Sequence, residues 1–262
     1  MFTPIASLLT LATFALAAPV STVPSAGPGH IDLKTAGNFT IIGQSGISSV
    51  PGSAIQGNIA CSPIAATGLT GFSITHEAGS TYGKSAQVSD NVYAADYAAP
   101  TPANIRQAVL DSNDAYNTAM AMSPPDYVNY GGGQIGSAQL TPGLYNWDSG
   151  VNAATDFTLS GGPTDTWVFQ VEGVLTISPG VKAILSGGAR ATNIFWAVLS
   201  GKIDVNAHLE GIVSSGTTVV INTDGTLTGR AYSQTATTLQ KANITEPAPQ
   251  CLVNSIGALL CL

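Results

Sequence analysis

Charge is scarce in this chain: 9% of its residues are Asp, Glu, Lys or Arg, against about 25% in an ordinary globular protein. Cations are the rarer sign, with 8 Lys and Arg against 15 Asp and Glu, and the net charge is −7. A surface so poor in basic groups cannot neutralise a phosphate backbone, which excludes nucleic acid as a partner. No stretch reaches the ~18 apolar residues of a membrane span. The three histidines, His30, His76 and His208, share no metal-ligand spacing.

Catalytic groupings are missing too. A polysaccharide-cleaving enzyme needs acids that converge on one cleft, whereas Asp148, Asp156, Asp165, Glu172, Asp204, Glu210 and Asp224 are scattered, with no Asp-Asp or Asp-x-Asp pair. Asp156, Asp165 and Asp224 flank glycine-rich turns, where a carboxylate bonding to backbone explains them. No G-x-S-x-G stands near a base and no phosphate-binding loop appears. Tyr130-Gly131-Gly132-Gly133-Gln134 lacks the lysine and the following helix such a loop uses. No catalytic residue, metal or cofactor is therefore expected.

What the chain does contain is repetition. Ala207-His208-Leu209-Glu210-Gly211 is followed by Ser215, Thr217 and Ile221, and 18 residues later Gly225-Thr226-Leu227-Thr228-Gly229 by Ser233, Thr235 and Leu239. A period of this length divides into three short strands and their corners, and such a coil can bury its inward side chains only against neighbouring coils. Leu159-Ser160-Gly161-Gly162 recurs as Leu185-Ser186-Gly187-Gly188, each followed by an apolar aromatic run, Trp167-Val168-Phe169 and Ile194-Phe195-Trp196. Runs of that kind between glycine pairs read as fully buried strands. The fold expected is all-β with one long helix: an irregular parallel β-helix.

The helix is expected over about 102–121. Thr101 is a candidate N-cap, Pro102 suits the first helical position, and Ile105, Ala108, Val109, Tyr116, Ala119 and Met120 follow at helical spacing until Ser123-Pro124-Pro125. It should lie along the solenoid and divide the coils into a shorter set before it and a longer set after.

Residues Ile5 to Leu16 form a short apolar run ending in Ala15-Leu16-Ala17, an A-x-A cleavage pattern. A secretory leader over 1–17 is expected, with a single domain over 18–262, a C-terminal tail over 246–262, and an extracellular location. Cys251 and Cys261 sit close together in that tail and are candidates for a disulfide, leaving Cys61 as a buried free thiol. Asn38-Phe39-Thr40 and Asn243-Ile244-Thr245 match the N-glycosylation pattern.

From about Asp32 to Thr245 the chain resembles the fungal and microbial ice-binding (antifreeze) proteins. The resemblance rests on ordered matches such as Ser45-Gly46-Ile47-Ser48-Ser49-Val50-Pro51, Gly57-Asn58-Ile59-Ala60-Cys61-Ser62-Pro63 and Leu140-Thr141-Pro142-Gly143-Leu144-Tyr145. Further matches are Thr166-Trp167-Val168-Phe169-Gln170 and Gly187-Gly188-Ala189-Arg190-Ala191-Thr192-Asn193-Ile194-Phe195-Trp196. It implies a right-handed, three-sided β-helix with a helix alongside, secreted; a monomer is expected. The partner it implies is the ice surface, bound through one flat face.

Strand alternation then proposes the face. In Thr217-Thr218-Val219-Val220-Ile221, Val219 and Ile221 point in, so Thr218 and Val220 point out, and the repeat maps these to Ala236 and Thr238. The same logic exposes Val174 and Thr176. Resemblance adds Ser45, Thr81, Tyr82 and Asn152. Thr235-Ala236-Thr237-Thr238 also fits a T-A/G-x-T/N pattern of some relatives. The chain departs from expectation where Lys202 and Asp204 fall on this face, because strongly hydrated charges disturb ordered water. An adhesive or carbohydrate-binding solenoid is the alternative reading; it would need an aromatic platform, for which Tyr82 is the candidate.

Overall fold

The computed structural model describes residues 26–247 in full and the backbone of 251–253 and 259–261; the expected leader lies outside these. Strand pairing is parallel nearly throughout and wraps the chain into three sides. The helix side stacks nine strands among the described residues. In spatial order these are Tyr127–Val128, Gly143–Trp147, 167–171, 194–198, 212–215, 230–233, Ile41–Gly43, Ile59–Cys61 and Val92–Ala94. A second side, open to solvent, carries Val151–Ala153, 174–177, 201–203, Val219–Ile221, Ala236–Leu239, Gly46–Ser48 and Leu69–Thr70. The third carries Gln139–Leu140, Phe157–Ser160, Ala183–Ser186, 208–211, 226–229, Asn243–Thr245 and Ala54–Ile55.

The coils are not stacked in chain order. The first of them, with Ile41 opposite Ala231, packs on the last, which runs through 230–245. The chain starts beside its own final coil, builds outward to Val92–Ala94, and must then cross to the far end at Tyr127. The helix Thr101–Ala121 makes this crossing. Its 21 residues reach about 31 Å at ~1.5 Å per residue, most of the roughly 38 Å that eight strand spacings occupy.

Both repeats read from the sequence are register relations. Leu209 pairs with Leu227 and Gly211 with Gly229 in the 18-residue repeat, and Leu159 with Leu185 in the longer one. Gly211 has φ +114, and a Cβ on Gly229 would stand 1.8 Å from the Gly211 carbonyl oxygen, so the corner admits glycine alone in both coils.

Two apolar layers hold the fold. Inside the solenoid, Tyr145, Trp147, Phe169 and Trp196 form a stack, with 3.9 Å between the Phe169 and Trp196 centroids. The buried indoles Trp147, Trp167 and Trp196 donate to the carbonyls of Tyr130, Leu140 and Glu210, pinning corners of other coils. Outside it, Ile105, Ala108, Val109, Ala115 and Ala119 of the helix pack on Ile42, Leu144, Val168, Phe195, Ile212 and Tyr232.

The helix ends differ from the sequence reading at one point. Thr101 is a helical residue without a capping bond, and its hydroxyl donates to Thr81 O at 2.6 Å. At the other end buried Gln170 donates from Nε2 to Met122 O, and to Ala119 O, which the Met122 amide reaches only at 3.4 Å. Cys61 is a buried free thiol whose pKa burial pushes up to about 12.

The solenoid lies in one compact unit, Pro24–Pro249. In a second, strands Cys251–Val253 and Leu259–Cys261 pair antiparallel, with Cys251 opposite Cys261. Of the expected tail, 246–249 fall in the solenoid unit and 250–262 in the second. The side chains of the two cysteines lie outside the described residues.

Candidate functional site

On the open side, the alternation of each strand sends Leu175, Ile177, Val219, Ile221, Leu239, Ile47 and Leu69 into the core. The residues between them form outward files. One runs in continuous register through Gln134, Asn152, Thr176, Lys202, Val220, Thr238, Ser48 and Thr70. Beside it runs a second: Val174 stands opposite Ser200, Thr218 follows in the next coil, and Ala236 stands opposite Gly46. Neighbours within a file are about 4.8 Å apart and the files about 6.7 Å apart, from the spacing of parallel strands and the two-residue rise. Most members are half-buried, shielded by one another, while Val174 is 45% exposed.

The polar groups of this array bond to each other from coil to coil. Ser200 and Thr218 share a hydroxyl bond of 3.0 Å, the Ser48 hydroxyl donates to Thr238 at 3.2 Å, and Asn152 donates to Gln134 while accepting from Ser178. Each such bond restricts a rotamer, so hydroxyls, amides and the methyls between them are presented in a regular order. The exception in polarity is Lys202, which holds Asp204 at 2.7 Å. The hydrogen bond from Lys202, with others from Asn222 and the Val205 amide, keeps the Asp204 carboxyl below its ordinary value.

Seven of the ten residues proposed from the sequence, Asn152, Val174, Thr176, Thr218, Val220, Ala236 and Thr238, stand in these files. Ser45 is exposed at the coil corner, aligned with Thr235, to whose carbonyl its amide donates. The file positions in that coil are Gly46 and Ser48. Thr81 and Tyr82 belong to an excursion paired antiparallel through Thr75–Lys84 and Gly83–Val92, apart from the files. Tyr82 has the Lys84 ammonium 5.6 Å from its ring centroid. Gln134, Ser48, Thr70 and Ser200 were not found by sequence reasoning: Gln134 and Ser200 stand 18 residues before Asn152 and Thr218, but the sequence around them does not repeat, while Ser48 and Thr70 are 22 apart. Within Thr235-Ala236-Thr237-Thr238, Thr237 points inward and its hydroxyl meets that of Ser233 at 2.9 Å.

Little in this arrangement can carry out a reaction. Among the described residues no group of three or more His, Cys, Asp or Glu could hold a metal, and no helix is long and apolar enough to cross a membrane. His208 bonds to Thr226 at 2.7 Å and to Glu210 at 2.9 Å, but these side chains lie along the strands of the third side. Two of the acids singled out in the sequence bond to backbone: Asp165 accepts from the amides of Gly162 in its own turn and of Ala26, and Asp156 from that of Lys182 in the next coil.

Residues 41–245 match the family described as Ice-binding-like. The chain belongs to the ice-binding family. It is 41% identical to the ice-binding protein of Flammulina populicola over 92% of this chain and 97% of that one. With ice-binding protein K1-A of Typhula ishikariensis the identity is 45% over 79% and 85%. The solved structure of an ice-binding protein from Arctic yeast superposes with TM-score 0.80 at 42% identity, covering 85% of this chain and 98% of that one. These relatives are ice-binding proteins and not enzymes, and their β-helix is the fold described above.

Proposed function

We propose that this protein is secreted and adsorbs to ice through its open side, depressing the temperature of crystal growth and slowing recrystallisation. The observation that carries the reading is the pair of outward files, held in register across successive coils by backbone pairing rather than by flexible side chains. A surface with a fixed two-dimensional repeat can order a layer of water, with methyl groups excluding it into cages and hydroxyls anchoring it. Once that layer merges with the lattice the protein stays bound, and ice between bound molecules must grow as curved fronts that melt at a lower temperature. No metal, cofactor or bond-making step is needed.

Family membership and the similarity to ice-binding proteins of fungi and bacteria support this reading. The apolar leader motif supports the extracellular part. The test is a single ice crystal held in the purified protein on a cold stage. Faceted growth and a gap between melting and growth temperatures are expected, and round discs that grow at the melting point would refute ice binding.

A further inference from the structure

Two structural features single out the sequon Asn38-Phe39-Thr40. Asn38 is exposed at the end of the 3-10 turn Lys34–Asn38 and borders a cavity of about 310 Å³ whose lining includes Phe39, Asn58, Tyr93, Asn104 and Gln107. Phe39 and Tyr93 meet edge to face at 5.7 Å. Side-chain amides around an aromatic wall suit the ring and acetamido group of an N-acetylhexosamine.

The second feature is the order in which the fold can close. In the folded protein Thr40 is fully buried, and its hydroxyl lies within donating distance of Gln56 O at 2.6 Å and of Glu246 at 2.9 Å. Phe39 O accepts from Arg230 and Tyr232, and Ile41 pairs with Ala231. The next coil holds one side of the sequon, through Gln56 O, Asn58 O and the Asn58 amide, but the strand that covers its other side comes from residues about 190 positions later in the chain. At 5–20 residues per second, synthesis leaves that other side uncovered for roughly ten to forty seconds. Asn243 is the opposite case: its strand joins Thr226–Ser233 and Ala54–Ile55, both of which precede it, so it can be captured as it appears.

We propose that Asn38 is an N-glycosylation site, modified before the last coil closes over it, with the first N-acetylglucosamine seated in the adjoining cavity. The Asn38 amide nitrogen forms a bond to C1 of the sugar and loses one proton. The C1–O bond to a polyprenyl-pyrophosphate donor breaks, and the pyrophosphate leaves with the electron pair. The inference rests on the secretion part of the functional reading, not on ice binding. The cavity lies beside the helix, so the glycan would leave the open side uncovered.

The experiment is peptide mapping of the full chain made in a yeast secretory host, from medium and from endoplasmic reticulum, after amidase release in heavy-oxygen water, which marks each asparagine that carried a glycan. Asn38 is expected to be marked in most molecules and more completely than Asn243. An unmarked Asn38, or one marked less than Asn243, overturns the site. For the seat, trimming the glycan to a single N-acetylglucosamine should leave the Tm unchanged, while Asn38→Gln lowers it. Equal melting of the trimmed protein and the variant overturns the seat, and if the variant does not fold, loss of Tm on trimming does so.

Discussion

The hydroxyls of Ser48 and Thr238 lie 190 positions apart in the chain and meet at 3.2 Å on the open side. Their contact marks the seam where the first coil docks on the last. Without that docking the outward files end at Thr238, and Ser48 and Thr70 are not part of them. The functional surface is therefore a property of the closed fold and not of any one stretch of sequence.

The charge pair at Lys202 and Asp204 interrupts an otherwise neutral file. Replacing both, as Lys202→Thr with Asp204→Asn, removes the strongly hydrated ions and leaves no carboxylate unpaired. The gap between melting and growth temperatures at equal protein concentration is expected to widen. An unchanged or smaller gap would show that the layer of ordered water does not extend over this coil.

Acid should reach this pair late. Because the folded-state pKa of Asp204 is depressed, its contribution to stability is fully present above the unfolded value of about 3.9 and is lost as pH falls through the lower folded value. The Tm difference between the parent and Asp204→Asn should stay constant from neutrality to about pH 5 and shrink only below the unfolded value. A difference that vanishes by pH 5 contradicts the assignment.

Gln170 joins the solenoid to the end of the helix through two donated bonds and accepts a third from Asn146. Gln170→Leu keeps similar volume but takes the side-chain donor from the half-buried Met122 carbonyl and leaves the Ala119 carbonyl only the long bond from the Met122 amide. Denaturant unfolding should register a loss of about 1–3 kcal/mol. A neutral effect would mean that the helix end is served by water instead.

The cysteines should behave unequally toward reagents. Cys61, buried and with its thiol pushed up to about 12, should stay unmodified by a thiolate-selective reagent at pH 8 until the protein is unfolded. Directly opposed antiparallel residues lie about 4.5–5.5 Å apart at Cα, a span that a disulfide bridges without distortion, so Cys251 and Cys261 are expected to be joined. Non-reducing peptide mapping that places Cys61 in the bridge would reverse both expectations.

How much of this was legible beforehand depended on the repeat. Where two coils share a period, as from Ala207 to Leu239, one strand's alternation orients the other, and Thr218, Val220, Ala236 and Thr238 follow. Val174 and Thr176 were readable because their strand ends in a plain alternation. The first coils have strands of two or three residues, too short for alternation to orient, so Ser48 and Thr70 were not read there and Ser45 came from resemblance alone. That Ile41 would pair with Ala231 could not be read at all. The pairing is between unlike coils at opposite ends of the chain, and its cause is the space left when the helix carries the chain back to the far end.

The central claim is that ice is bound by the open side and by no other. Ala236→Tyr places a ring in the middle of the files, and Thr228→Tyr places the same ring on the third side, in register with Glu210 and Thr245. Both are surface changes expected to alter stability by only about ±0.5 kcal/mol, which circular dichroism and melting curves verify. The deciding measurement is ice-crystal shaping and the melting–growth gap of these two variants beside the parent. The account predicts that Ala236→Tyr loses most of both while Thr228→Tyr keeps them; equal activity in the two variants, or loss in Thr228→Tyr alone, contradicts it.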